Sequence, residues 1–127
     1  MSDGSRIDAL LAAARARLRR VDVDALAEEV AAGALVVDIR PEVNRLTEGV
    51  LPGAVVIDRN VLEWRLDPTS GYEIPEASAD RRVILVCNEG YASSLAAATL
   101  IDLGIAQATD LIGGYRAWVT VDPSTGH

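Results

Sequence analysis

The sequence predicts a single α/β domain over residues 1–127, in which helices flank a parallel β-sheet. Short apolar runs of the kind buried in parallel sheets alternate with segments of helical periodicity. The length of 127 residues suits one hydrophobic core, and half of the residues are apolar. No repeat, linker or low-complexity tract divides the chain. We therefore expect one domain whose strands are joined by right-handed crossovers.

The first predicted element is an amphipathic helix over residues 5–20. Its apolar residues recur at helical spacing: Ile7, Leu10, Leu11, Ala14 and Leu18. Its arginines lie off that stripe and towards the end of the helix, where they complement the negative end of the helix dipole. Two interpretations follow, a packing helix with a solvated basic rim or a docking surface for a partner. We prefer the first, because the dipole alone accounts for the arginines.

The next segment predicts a helix and two buried strands. The helix covers residues 24–32, with Asp22 or Asp24 as its N-cap and Gly33 at its C-terminal end. The apolar run 35–39 predicts the first strand. A polar stretch then leads to a Pro-Gly turn, after which residues 54–57 predict the second strand.

Capping residues predict the two helices that follow. Asn60 and Glu63 match a capping box for a short helix over 61–66, and residues 67–71 predict a loop. Residues 83–86, Val-Ile-Leu-Val, form the clearest strand in the sequence. Ser93 or Ser94 can cap a helix over 94–103, which ends at Gly104.

The C-terminal part predicts a last strand over 108–112 and a terminal helix after two consecutive glycines. That helix holds Tyr115 and Trp118, which we interpret as covering the core rather than stacking on a substrate. Residues 122–127 are expected to be unstructured.

Composition and charge exclude several classes of protein. The formal net charge of −7 argues against a nucleic-acid binder, because phosphate backbones attract a basic face. No window approaches the roughly 18 apolar residues that cross a bilayer, and residues 1–20 lack the apolar run of a signal peptide. A lone cysteine cannot form an internal disulfide, so we expect a reducing compartment and a cytoplasmic protein. One cysteine and the distant His127 cannot make a zinc site, and no cofactor is predicted.

Cys87 is the candidate nucleophile. It directly follows strand 83–86, and ligands of open α/β sheets bind beyond the carboxyl ends of the strands. The loop 87–92 then enters a helix, whose unpaired N–H groups stabilise an anion, and Gly90 lets successive amides turn inward. A thiolate held there can attack a sulfane sulfur and carry it as a persulfide. No histidine base is needed, and a Cys-His hydrolase is excluded because His127 lies at the far end of the chain.

The alternative interpretation of Cys87 is a small apolar filler at the end of a core strand, where free cysteines are often found. The position of Cys87 before a glycine-containing loop that enters a helix favours the functional interpretation.

Four segments, in this order, resemble the signature segments of single-domain rhodanese-like sulfurtransferases: VDIRP (37–41), LPGA (51–54), VCNEGYASS (86–94) and LIGGYRAW (111–118). The resemblance covers residues 20–120. It implies a three-layer fold with a five-stranded parallel sheet, to which helix 5–20 is an N-terminal addition. It also implies that Cys87 bears the persulfide and that the residues after it bind the substrate. These residues are Asn88, Glu89, Gly90, Tyr91, Ala92 and Ser93 in the loop, with Arg59 and Arg65 at the border of the site.

Arg40 follows the first strand at the same edge of the sheet. It either contributes to an anion site or forms an ion pair with Asp38 or Glu42. Asp38 itself is expected to be a buried acceptor that fixes a loop. The loop also departs from many relatives, since it has no basic residue at Ala92 and adds Glu89. A carboxylate there repels dianionic thiosulfate and weakens the prediction of that donor.

The resemblance implies a sulfurtransferase that moves sulfane sulfur from a small donor, of the thiosulfate or mercaptopyruvate type, to an acceptor. Cyanide, a small thiol or a protein thiol are the acceptors expected. A non-catalytic rhodanese-like module that binds or regulates a partner is the alternative. A thiol-dependent phosphatase or arsenate reductase needs an arginine six positions after the cysteine, and that position holds Ser93.

Overall fold

The computed structural model describes residues 4–121, which form a parallel sheet between layers of helices. The strands are β1 (Leu35–Asp38), β2 (Val55–Val56), β3 (Val83–Val86) and β4 (Ala108–Asp110), in the order β2-β1-β3-β4. Every pairing between them is parallel. The α/β class predicted from the sequence is therefore confirmed. The tail that was predicted to be unstructured, residues 122–127, lies outside the described residues.

The five-stranded sheet that the resemblance implies is wrong, because within residues 4–121 only one isolated bridge adds to the four strands. Val21 forms a single parallel bridge with Leu111, donating its N–H to the carbonyl of Asp110 at 3.0 Å. The chain cannot extend this pairing, since Asp22 starts a turn in which its carboxylate accepts the N–H of Ala25 at 2.9 Å. In residues 4–121 the sheet therefore has four strands and one isolated bridge instead of the five strands expected.

Within residues 4–121, six α-helices surround the sheet. They are α1 (Arg6–Ala16), α2 (Leu26–Ala31), α3 (Glu42–Glu48), α4 (Leu62–Leu66), α5 (Ala92–Asp102) and α6 (Gly114–Val121). A 3₁₀ turn, Arg59–Val61, precedes α4. None of the helices within residues 4–121 has the length and apolar character needed to cross a membrane.

The alternation of β3 divides the core into two layers. Val83 and Leu85 face the layer that holds α4 and α5, whereas Ile84 and Val86 face the layer that holds α2 and α6. α1 packs on the outside of α5. Cys87 continues the alternation and belongs to the layer of α5. The loop after β3 therefore crosses from the sheet edge directly into α5.

The structure differs from the sequence prediction at two helix ends and in one helix that was not predicted. The first helix ends at Ala16 rather than at residue 20, because residues 17–20 must reach the bridge at Val21. The capping box at Asn60 is wrong, since Asp58 is the cap and its carboxylate accepts the N–H of Asn60 at 2.7 Å. Helix α3 occupies part of the stretch that was interpreted as merely polar.

The start of α5 also differs from its prediction. The helix begins at Ala92, and neither Ser93 nor Ser94 is its N-cap. Both hydroxyls turn inward, towards the carboxylate of Asp110 at the end of β4.

Candidate active site

Cys87 lies at the carboxyl end of β3, with its sulfur inside the turn that enters α5. The backbone N–H of Gly90 points at Sγ with an N···S distance of 3.1 Å, and that of Ser93 does so at 3.4 Å. The Cys87 thiol in turn donates to the hydroxyl oxygen of Ser93 at 3.2 Å. The two amides are the inward-facing donors that the Gly-containing loop predicts. Such donors stabilise negative charge on the sulfur that they face.

The first turn of α6 holds the loop from the opposite side. Tyr115 donates its N–H to the carbonyl of Cys87 at 2.9 Å, and Arg116 donates to the carbonyl of Asn88 at 3.1 Å. Carbonyls directed towards α6 leave the following amides free to face the sulfur. The approach is close enough to require glycine, because a Cβ on Gly114 would lie 2.5 Å from the carbonyl oxygen of Cys87. Gly114 also has a φ of +62°, in the left-handed region that glycine favours.

A buried polar network lies behind the loop. Asp110 ends β4 with no exposed surface, and its Oδ2 accepts hydrogen bonds from the hydroxyls of Ser93 and Ser94, each at 2.7 Å. Arg20 donates from Nε to Oδ1 at 2.8 Å and from Nη2 to Oδ2 at 3.1 Å. Ser93 thus bridges the sulfur and a carboxylate that is paired with an arginine.

The N-terminal segment holds the loop through its arginines. Arg15 and Arg20 donate to the carbonyl of Gly90 at 2.7 and 3.0 Å. Arg15 also donates to the Ser94 hydroxyl at 3.1 Å, and its guanidinium lies 5.4 Å from the ring centroid of Tyr91. These two arginines are part of the site's support, a role that sequence reasoning missed. Arg15 and Arg20 therefore contact the loop, whereas both interpretations of the basic stretch had its arginines facing solvent or a partner.

An exposed ion cluster holds the outer rim of the loop. Arg116 donates to Glu89 at 2.8 Å and to Glu48 at 3.0 Å, so the acidic loop residue is compensated. Asn88 donates to Glu48 at 3.1 Å. Hydrogen bonds first from Arg116 and then from Asn88 lower the pKa of Glu48 to about 2. The end of α3 is thereby tied to the loop.

A cleft of about 510 Å³ opens beside the sulfur. Its lining comes from the ends of β1 and β3, from the turn before α4 and from the loop: Ile39, Arg40, Pro41, Asp58, Arg59, Asn60, Cys87, Asn88, Glu89, Tyr91 and Ala92. The structure therefore brings most of the predicted site residues together, with Gly90 and Ser93 on the inner side of the loop.

The three arginines that were predicted to border the site differ in how they lie relative to the cleft. The side chain of Arg40 is fully buried and forms an ion pair with Asp38 at 2.8 Å, as one of the two interpretations expected, while its Nη1 has no hydrogen-bond partner among the described residues. Arg59 lines the cleft and donates from Nη1 to both carboxylate oxygens of Glu63 at 2.9 and 2.8 Å. Arg65 does not line the cleft; it donates to the carbonyl of Tyr72 at 2.8 Å.

The sulfur of Cys87 faces backbone amides at the start of a helix, at the carboxyl edge of a parallel sheet, an arrangement typical of proteins that use a cysteine for group transfer. A model of the rhodanese-like domain matches residues 22–120, and the chain belongs to that family. None of the curated proteins compared with the chain matches it.

Among the solved structures that resemble this chain are two bacterial proteins and one human protein. A protein of unknown function from Rhodopseudomonas palustris, described as a possible tyrosine phosphatase, is 29% identical with a TM-score of 0.82 over 94% of this chain and 93% of that one. A rhodanese homolog from the extremely thermophilic bacterium Thermus thermophilus is 29% identical with a TM-score of 0.58, over 79% of this chain and 100% of that one. The human single-domain sulfurtransferase TSTD1 is 24% identical with a TM-score of 0.69, over 81% of this chain and 96% of that one, a likeness of fold alone.

Proposed function

We propose that this chain is a sulfurtransferase that carries sulfane sulfur as a persulfide on Cys87. The observation that carries the proposal is the pair of amides, from Gly90 and Ser93, directed at Sγ. The same donors serve both anionic states of the cycle, the thiolate and the persulfide. The family match and the rhodanese homolog from Thermus thermophilus support the same chemistry.

The cycle has two displacements. The thiolate of Cys87 attacks the outer sulfur of the donor, a new S–S bond forms, and the donor's remainder leaves with the electron pair of the broken bond. An acceptor nucleophile, either cyanide or a thiolate, then attacks the outer sulfur of the persulfide and releases the Cys87 thiolate. No proton has to move in either displacement. A mechanism without proton transfer is consistent with a sequence that contains a single histidine, His127.

The test is sulfur loading followed by sulfur release. The purified protein is incubated with excess donor, separated from it and weighed intact, and we expect the mass of one added sulfur atom. Cyanide should remove that mass and yield thiocyanate. Cys87→Ser should gain no sulfur and should lose at least about a hundredfold in thiocyanate formation. Equal rates in the two proteins would refute the proposal.

A phosphatase function is suggested by the description of the Rhodopseudomonas protein. An oxyanion clamp needs an arginine six positions after the cysteine, where this chain has Ser93, and Arg15 and Arg20 are engaged behind the loop. Hydrolysis of an aryl phosphate should therefore stay at the level of Cys87→Ser. A non-catalytic binding module would show neither activity, so the two assays separate all three functions.

A further inference from the structure

The cleft beside Cys87 is unusual in its charge. The charged residues that line it and their ion-pair partners comprise three guanidinium groups and four carboxylates: Arg40, Arg59 and Arg116 against Asp38, Asp58, Glu63 and Glu89. Their formal sum is negative. A small dianion entering this cleft therefore meets net repulsion at the rim.

The arginines at the cleft already have carboxylate partners. Arg40 is fully buried against Asp38, and Arg116 is shared between two glutamates. Arg59 is the cleft-lining arginine of residues 4–121 whose guanidinium reaches solvent, and it is paired with Glu63. Arg15 lies against Tyr91 but donates to the Gly90 carbonyl. A single, shared positive charge suits at most one negative charge on a ligand.

Besides two asparagines, the uncharged part of the lining consists mostly of apolar surface. Ile39, Pro41, Ala92 and the ring of Tyr91, which is 59% exposed, border the cleft. Its volume of about 510 Å³ lies in the range of sites for small organic molecules. An inorganic ion would leave most of these surfaces uncovered, whereas an aryl or alkyl group would cover them.

On these grounds, and resting on the proposed function, we propose that the sulfur donor is an organic sulfane-sulfur compound with at most one negative charge, and that thiosulfate is a poor donor. With a thiosulfonate, the Cys87 thiolate attacks the terminal sulfur, and the S–S bond to the sulfonyl sulfur breaks. The sulfinate then leaves with the electron pair. Charge balances, since two monoanions give the persulfide anion and the sulfinate anion. Thiosulfate reacts in the same way but releases sulfite.

The experiment compares benzenethiosulfonate with thiosulfate in the thiocyanate assay. Each kcat/KM is divided by the rate of the same donor with free cyanide, which removes differences in intrinsic reactivity. We expect the normalised value to favour benzenethiosulfonate by at least about tenfold. Equal values, or a preference for thiosulfate, would overturn the proposal.

A charge-switch variant tests the cause of the preference. Ala92→Arg places a cation at an exposed, cleft-lining position beside the sulfur and should raise kcat/KM for thiosulfate about tenfold relative to benzenethiosulfonate. Ala92→Gln is the uncharged control and should keep the wild-type ratio of the two donors. Added salt should reduce the gain of the arginine variant. An unchanged ratio in Ala92→Arg would overturn the electrostatic argument.

Failure of this inference is separable from failure of the proposed function. If both donors load one sulfur atom on Cys87 with equal efficiency, only the donor preference is wrong. If neither donor adds sulfur mass, both proposals are contradicted.

Discussion

Two buried aspartates end the strands on either side of β3, and each is paired with an arginine in a different way. Asp38 at the end of β1 binds Arg40, two residues later, through Nε and Nη2. Asp110 at the end of β4 binds Arg20, which lies 90 residues earlier. Both carboxylates have at most 1% of their surface exposed. The first pair is local, whereas the second joins the two ends of the domain.

The surroundings of the two pairs differ as well. Arg40 also donates to the carbonyl of Gly49 at 2.9 Å and lies 3.9 Å from the ring centroid of Tyr115. That pair therefore fixes the end of α3 against α6. The Asp110 pair holds Ser93, Ser94 and the Gly90 carbonyl, all of which belong to the cysteine loop or to α5. One pair stabilises the scaffold, and the other stabilises the reactive loop.

The first prediction separates these roles by stability. Asp38→Ala strands a fully buried guanidinium and should lower the free energy of unfolding by about 3–5 kcal/mol. Asp110→Ala should lower it by only about 1–3 kcal/mol, since the side chain of Arg20 is 16% exposed and can turn to water. Urea denaturation measures both. The double variant Asp38→Leu with Arg40→Met is the control and should be more stable than Asp38→Ala, because no charge is left unpaired. A larger loss of unfolding free energy in Asp110→Ala than in Asp38→Ala would contradict the contrast between the two pairs.

The second prediction concerns two adjacent hydroxyls of the Asp110 network. Ser93 and Ser94 are both fully buried and both donate to Asp110 at 2.7 Å, but only Ser93 lies beside Sγ. Either alanine variant should lose a similar amount of stability, about 1–2 kcal/mol. Only Ser93→Ala should slow sulfur transfer markedly, by about tenfold in kcat, because it removes the hydroxyl that contacts Sγ. Equal losses of activity in the two variants would show that both hydroxyls contribute to packing alone.

The third prediction uses the exposed cluster as a contrast to the buried pairs. The pKa of Glu48 is about 2 in the folded protein, below its usual range, so its stabilising effect is present above about pH 4.3 and is lost as the pH falls towards 2. The wild-type melting temperature should therefore fall over this window more steeply than that of Glu48→Gln. Melting curves at several pH values measure the effect, which we expect to be the smallest of the three. Parallel pH profiles would contradict it.

The sequence predicted those parts of the molecule that depend on near neighbours. The apolar run 83–86, the glycine in the loop and the position of Cys87 each carry a local signal, and each prediction of structure holds. Helix α3 was missed because it has no buried residue, so hydrophobic periodicity could not reveal it. Its Val43 and Leu46 are 61% and 77% exposed, the opposite of the amphipathic pattern.

The misassigned residues share a different cause. Ser93 and Ser94 have the chemistry of N-caps, but a buried carboxylate from β4 competes for their hydroxyls. The contacts of Arg15 and Arg20 with Gly90 join residues 75 and 70 positions apart. Spacing along the chain gives no signal for such pairings, which only the folded arrangement reveals.

The reach of Arg20 to Asp110 bears on where a working fragment of this protein can be cut. The segment shared with the family starts at residue 22, after Arg15 and Arg20. An expression clone trimmed to that segment would leave the buried carboxylate of Asp110 without its counter-ion. It would also remove both arginine donors from the Gly90 carbonyl. The smallest useful recombinant unit therefore has to include Arg20 and, in the last turn of α1, Arg15.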